Sequence, residues 1–71
     1  MMTRVPVQSS IIFAIGYDPE TRTMEIDFKT GAVYQYEQVP PELHKDFMES
    51  SSKGTFFHFN FKKGKFPYKK L

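Results

Sequence analysis

The stretch that decides the fold is "TMEIDFKTGAVYQY", which runs from Thr23 to Tyr36. Met24, Ile26 and Phe28 alternate with charged residues, a pattern typical of an antiparallel strand with one buried face. Gly31 follows, and glycine allows the positive φ that a tight turn requires. The segment "AVYQYEQV" after this turn is predicted as the next strand, so the stretch predicts a β-hairpin with one apolar face.

The segments on either side of the hairpin extend it. "IIFAIGY", from Ile11 to Tyr17, is rich in β-branched and aromatic residues and predicts a preceding strand. Asp18 and Pro19 favour a turn between that strand and the hairpin. The sequence thus predicts a three-stranded antiparallel meander, preceded by a loose lead-in over residues 1–6.

The second half of the chain predicts one or two short helices packed against the meander. Pro41 suits the first turn of a helix, and a helix is predicted from Pro41 to Ser50. "SKGTFFHFNFKK" fits either a helix capped by Ser52 or a strand with alternating phenylalanines, and the cap favours the helix. With a basic extended tail over residues 62–71, the prediction is a single α+β domain spanning residues 1–71.

Composition narrows the classes of protein. The 71 residues include no cysteine, so disulfides and thiolate metal sites are excluded, while eight Phe and four Tyr provide the core. No apolar run approaches the roughly 18 residues of a membrane-spanning helix. We expect a cytoplasmic protein that needs no cofactor.

Charge is distributed unevenly along the chain. Residues 1–52 carry four basic and eight acidic groups, whereas residues 53–71 carry six lysines and no acidic group. Such asymmetry favours a polyanionic partner.

Single-stranded nucleic acid is bound by lysines that contact phosphates and by rings that stack on bases. The candidate residues for such a surface are Lys53, Lys62, Lys63, Lys65, Lys69, Lys70, Tyr34, Tyr36, Phe66 and Tyr68. The alternative is that the rings form the core and the lysines only solvate it, and for Phe57 and Phe61 we expect burial. Tyr34 and Tyr36 share a strand face and are either a stacking platform or core residues, and we favour an inward or half-buried position.

Catalysis has little support in the sequence. His44 is expected to be exposed on a polar helix face, and neither His44 nor His58 has the spacing of a metal site or a catalytic triad. Glu25 and Asp27 share a strand face that we expect to be solvated. A weak phosphate-binding site is predicted at Ser52, Lys53 and Gly54, where free backbone N–H groups begin a helix.

The order and spacing of several short motifs resemble one family. The elements are Gly16-Tyr17-Asp18, Phe28, Gly31, Tyr34-x-Tyr36, Val39-Pro40, Ser52-x-Gly54, Phe57 and Tyr68. Together they resemble the KTSC domain, named for its place at the C-terminus of some lysyl-tRNA synthetases and also found as a stand-alone protein in bacteria and phages. The resemblance covers about Val7 to Leu71, with departures at His58, Phe61 and Phe66. It implies a small domain without an assigned activity, for which RNA binding is suggested.

The leading functional hypothesis is a non-catalytic module that binds RNA or another single-stranded nucleic acid. The first alternative is a protein-interaction or oligomerisation module, in which the rings form an interface. A further alternative is a site for a small phosphorylated ligand such as a nucleotide.

Overall fold

The computed structural model describes residues 4–61 and 66–71. Five antiparallel strands form one sheet in the order of the chain, and two helices lie between the fourth and fifth strands. The strands are β1 (Arg4–Pro6), β2 (Ile12–Asp18), β3 (Thr23–Phe28), β4 (Val33–Tyr36) and β5 (Tyr68–Lys70). The helices are α1 (Pro41–Glu49) and α2 (Lys53–Asn60).

The predicted meander is present as β2, β3 and β4, but the prediction of three strands was wrong. Arg4–Pro6, expected in the lead-in, pairs with Ala14–Gly16 as β1, and Tyr68–Lys70, expected in an extended tail, pairs with Tyr34–Tyr36 as β5. Both added strands are three residues long and lie at the sheet edges, where Pro6 and lysines are tolerated. Residues 1–3 and 62–65 of the predicted lead-in and tail lie outside the described residues.

The hairpin forms as predicted around Gly31, which has a φ of 96°. Its N–H donates to the Phe28 carbonyl at 2.9 Å, and the N–H of Phe28 donates to the carbonyl of Ala32 at the same distance. Only glycine adopts this φ readily, so the turn fixes the register that places Ile26 opposite Tyr34 and Met24 opposite Tyr36.

Both helices pack on one face of the sheet. The sheet contributes Ile12, Ile15, Met24 and Ile26, and the helices and the adjoining C-terminal residue contribute Phe47, Phe57 and Phe61. The segment after Ser52, for which a helix and a strand were both considered, is therefore a helix. The Ser52 Oγ caps this helix by accepting from the Thr55 N–H at 3.3 Å. The expected burial of Phe57 and Phe61 is confirmed.

Candidate functional site

An aromatic cleft opens where α2 meets the β4–β5 edge of the sheet. It encloses about 430 Å³ and is lined by Phe28, Thr30, Ala32, Tyr34, Tyr36, Phe57, Phe61 and Tyr68. Strand alternation directs Phe28, Tyr34 and Tyr36 to the helix side of the sheet, and β5 brings Tyr68 opposite Tyr36. Six of these eight residues are aromatic, so the cleft offers stacking surfaces.

Three of the rings form a stack across neighbouring strands, which we call the tyrosine triad (Tyr34, Tyr36 and Tyr68). The ring centroids of Tyr36 and Tyr68 are 5.5 Å apart, those of Tyr34 and Tyr68 are 5.9 Å apart, and those of Tyr34 and Tyr36 are 6.5 Å apart. The interplanar angles of these pairs lie between 21° and 32°. The three rings are thus in mutual contact as stacked and tilted pairs.

The triad runs from the core to the surface. Tyr36 is only 3% exposed, Tyr34 is half-buried, and Tyr68 is 57% exposed. The inward or half-buried position expected for the two β4 tyrosines is therefore found, while Tyr68 presents a ring to solvent.

The hydroxyl of Tyr36 stays protonated over the whole neutral range. Burial, and to a smaller extent the neighbouring Tyr68 and Tyr34, raise the pKa of Tyr36 to about 12. A neutral phenol both donates and accepts a hydrogen bond. Tyr36 thus supplies a polar group inside a largely aromatic cleft.

The two described tail lysines lie on opposite faces of the sheet. Lys70 is paired with Tyr34, so its side chain leaves β5 on the helix side, beside the triad. Lys69 is paired with Gln35 and leaves on the other side. Only Lys70 of this pair lies on the same face as the aromatic cleft.

The remaining candidates are distributed more widely. Lys53 lies at the start of α2, where its Nζ donates to the Ser50 carbonyl at 2.6 Å. Phe66 is half-buried with its ring centroid 5.3 Å from that of Phe61, so it contributes mainly to packing. The predicted contributions of Lys62, Lys63 and Lys65 lie outside the described residues.

The predicted phosphate-binding residues line a second opening, the serine cleft. It encloses about 510 Å³, and its lining includes Ser9, Ser10, Ser51, Ser52, Lys53, Gly54, Thr55 and His58. The Ser52 hydroxyl is occupied by the cap of α2 and also donates to the Thr55 Oγ1 at 2.9 Å. Gly54 has a packing reason as well, because a Cβ there would approach the Ile11 Cδ1 to 3.2 Å.

The Glu25–Asp27 face, which we expected to be solvated, is partly exposed and is also held by polar contacts. Arg4 on β1 donates to the Glu25 carboxylate at 3.0 Å, and its Nη1 lies 3.7 Å from the Asp27 carboxylate. Gln35 donates to the other Glu25 oxygen at 3.1 Å, and the two acidic side chains are only 15% and 23% exposed. These carboxylates are held by an edge strand that the sequence did not predict.

Histidine 44 also differs from its expected exposure. Its ring stacks on that of Tyr17 with centroids 4.3 Å apart and an interplanar angle of 9°. Burial lowers the pKa of His44 below the usual histidine value. The pattern of polar residues in α1 could not predict this contact, because Tyr17 belongs to a different element, β2.

Two kinds of feature are absent from residues 4–61 and 66–71. No group of three His, Asp or Glu side chains there has the arrangement of a metal site. No helix in the same ranges has the length and apolar character needed to span a membrane.

Comparison with known proteins gives the family. The model of the KTSC domain matches residues 8–66, and the chain belongs to this family. The crystal structure of a KTSC domain protein from Yersinia pestis is similar to this fold, with a TM-score of 0.92, 48% identity and coverage of 100% of this chain and 99% of that one. The resemblance drawn from the sequence motifs is confirmed.

Relatives occur as small proteins and as part of larger ones. An uncharacterized protein of Stutzerimonas stutzeri is 43% identical over 67 residues, which are 94% of each chain. A lysine–tRNA ligase of Nostoc punctiforme is 42% identical over 65 residues, which are 90% of this chain and 11% of the ligase. The chain therefore spans only about a tenth of the ligases that it matches.

The sequence predicted some residues of the aromatic cleft as site residues and missed others. Phe28, Thr30, Ala32, Phe57 and Phe61 were not assigned to a site. The alternation in β3 placed Phe28 on the correct face, but the pairing of β5 with β4 had no signal in the sequence.

Proposed function

We propose that this chain is a non-catalytic module that binds RNA or another single-stranded nucleic acid at the aromatic cleft. The observation that carries the proposal is the juxtaposition of the tyrosine triad with Lys70 on one face of β4 and β5. A base that stacks on an aromatic side chain contributes about 1–3 kcal/mol of binding free energy, largely independently of its identity. A lysine beside the stacked ring places a positive charge where the backbone phosphate of that nucleotide passes.

The relatives support a nucleic-acid ligand. Several proteins that contain a segment similar to this chain are lysine–tRNA ligases, whose name states that they act on a tRNA. A small domain added to such an enzyme is well placed to contact the same RNA. The excess of lysines in residues 53–71 is consistent with this ligand.

The test is a titration of the protein with a short single-stranded RNA over a series of salt concentrations. Each phosphate neutralised contributes about −0.7 to the slope of log K against log salt. We expect Lys70→Ala to weaken binding and to reduce the steepness of this slope by about 0.7. Lys69→Ala is the matched control, since it removes the same charge from the neighbouring residue on the opposite face.

Two results would contradict this function. The first is the absence of binding at low salt. The second is an equal loss of affinity in the two lysine variants, because a diffuse positive charge and not the cleft would then attract the RNA.

A second candidate function is protein interaction or self-association. Ile11 and Phe59 are exposed large side chains, and both line the serine cleft. Light scattering over a range of protein concentrations tests it, and a mass that rises with concentration would favour this function. The same cleft contains Ser52, Lys53 and Gly54, so stabilisation by a panel of nucleotides tests the third candidate, a phosphorylated ligand.

A further inference from the structure

The hydroxyl of Tyr36 is a polar group of the aromatic cleft. The side chain is 97% buried, yet within residues 4–61 and 66–71 its oxygen forms no hydrogen bond. The same part of the chain has no buried side-chain oxygen or nitrogen that lacks both a partner and access to solvent. The hydroxyl therefore keeps its access through the cleft that Tyr36 lines.

The hydroxyl of Tyr17, in contrast to that of Tyr36, has a hydrogen-bond partner within the protein. That hydroxyl donates to the Val39 carbonyl at 2.5 Å and ties β2 to the segment before α1. Buried polar groups are normally satisfied in this way, because an unpaired one costs about 1–3 kcal/mol. The Tyr36 hydroxyl has no such protein partner among the described residues, and it lies on a cleft in which a ligand has room to supply one.

The walls of the cleft restrict the shape of that ligand. Phe28 forms edge-to-face contacts with Tyr34 and with Phe57, with centroid distances of 5.7 and 5.2 Å, so the sides of the cleft are aromatic. The volume of about 430 Å³ lies in the lower part of the range of about 300–1,000 Å³ found for small-molecule sites. A ligand that fits is flat, stacks on rings and carries a hydrogen-bonding group on its edge.

We propose that the aromatic cleft binds one unpaired nucleobase, whose hydrogen-bonding edge contacts the Tyr36 hydroxyl while its phosphate lies toward Lys70. This inference rests on the proposed function and specifies its ligand. A paired base is excluded, because in a duplex both its faces and its pairing edge are occupied. Since a phenol donates and accepts, the cleft binds bases with either kind of group and discriminates weakly between them.

The experiment compares two single-stranded RNA oligomers of equal length and charge, one complete and one abasic at every position except the ends. Fluorescence anisotropy at low salt measures both affinities for the wild-type chain and for Tyr36→Phe. We expect the complete oligomer to bind more tightly than the abasic one. Tyr36→Phe is expected to lower the affinity for the complete oligomer about three- to tenfold, the effect of one hydrogen bond, and to leave the abasic oligomer unchanged.

Thermal unfolding separates this result from a structural effect. The removal of a hydroxyl without a protein partner leaves the unfolding temperature the same or raises it. Tyr17→Phe is the matched control, because it removes a bonded hydroxyl outside the cleft and should lower the unfolding temperature without changing the affinity for RNA. Ala32→Leu, which fills the cleft from its rim, is a second variant that should weaken binding of the complete oligomer.

Each remaining outcome has a definite meaning. Equal affinity for the complete and abasic oligomers would overturn the nucleobase cleft while leaving the RNA-binding function in place. Loss of all binding to both oligomers would overturn the two proposals together. If adenosine monophosphate and uridine monophosphate compete at concentrations similar to that of the oligomer, a single nucleotide is sufficient to occupy the cleft, which supports the proposed nucleobase contact.

Discussion

At the scale of single residues, the contact between His44 and Tyr17 links a helix to the sheet through two flat rings. The two rings are nearly parallel, and His44 lies in the first turns of α1. The Tyr17 hydroxyl donates to the Val39 carbonyl just before this helix. A protonated imidazole is less favourable at this position because burial removes part of its hydration. The charge state of His44 is thus coupled to its burial against Tyr17.

We predict that the free energy of unfolding decreases in mild acid because of His44. Its pKa in the folded state is below the unfolded value of about 6.5, so the unfolded chain binds more protons between these two values. Stability is therefore fully present above about pH 6.5 and is lost as the pH falls toward the folded pKa. Urea unfolding at pH 7.5, 6.5, 5.5 and 5.0 measures this decrease.

The variant for this experiment is His44→Phe, which keeps a flat ring against Tyr17 but does not titrate. It should flatten the pH dependence over this window. His58→Gln is the control, since His58 is exposed on α2 and its removal should retain the dependence. If His44→Phe kept the pH dependence of the wild-type chain, that dependence would have to come from other titratable groups.

The sequence did not predict the surroundings of His44, and the reason is physical. The polar face of a helix is visible from the periodicity of its own residues, but its partner across a loop is not. The same limit applies to Arg4, whose carboxylate partners lie 21 and 23 residues further along the chain. Contacts of this kind depend on topology and not on local pattern.

At the scale of secondary-structure elements, the confirmed predictions are those with a local signal. α1 begins at Pro41 and α2 begins after Ser52, as the proline and the cap indicated. The three central strands alternate or are rich in β-branched residues. β1 and β5 carry no such signal, since each has only three residues and is paired with a single neighbouring strand.

The aromatic cleft depends on one of these unpredicted elements. Without β5, Tyr68 and Lys70 would have no fixed position relative to Tyr34 and Tyr36. The sequence therefore identified tyrosines and lysines as candidates, but it contained no basis for placing Lys70 beside the triad and Lys69 on the opposite face.

We predict that Ser52→Ala destabilises the protein by about 1 kcal/mol, the usual effect of the loss of an N-cap. The Ser52 Oγ accepts from the Thr55 N–H and holds the first turn of α2, which carries Phe57 into the core. In a domain of this size the unfolding temperature should fall by about 4–8 °C. Ser51→Ala, a change in the exposed residue beside it, should alter stability by less than about 0.5 kcal/mol. Equal losses in the two variants would show that the cap is not the cause.

At the scale of the whole molecule, the core and the aromatic cleft share side chains. Tyr36, Phe57 and Phe61 belong to the buried cluster and also line the cleft. A chain of 71 residues has few rings to divide between stability and ligand binding. Truncation of any shared ring would change both properties, so the test of the cleft relies on the removal of a single hydroxyl.

Phe47 is a core residue that lies outside the cleft, and it is the side chain by which α1 is buried. Its ring is fully buried, with centroids 5.1 Å from Phe56 and 5.3 Å from Phe61. We predict that Phe47→Ala lowers the free energy of unfolding by about 3–5 kcal/mol, as is usual for a buried phenylalanine. The free energy of unfolding of a domain is only about 0.05–0.15 kcal/mol per residue, so this loss removes a large share of the total stability. Urea unfolding should show a much lower midpoint than for Phe59→Ala, where an exposed ring on α2 is replaced by a better helix former. A loss below about 1 kcal/mol in Phe47→Ala would contradict the role of Phe47 as a main contributor to the stability of the core.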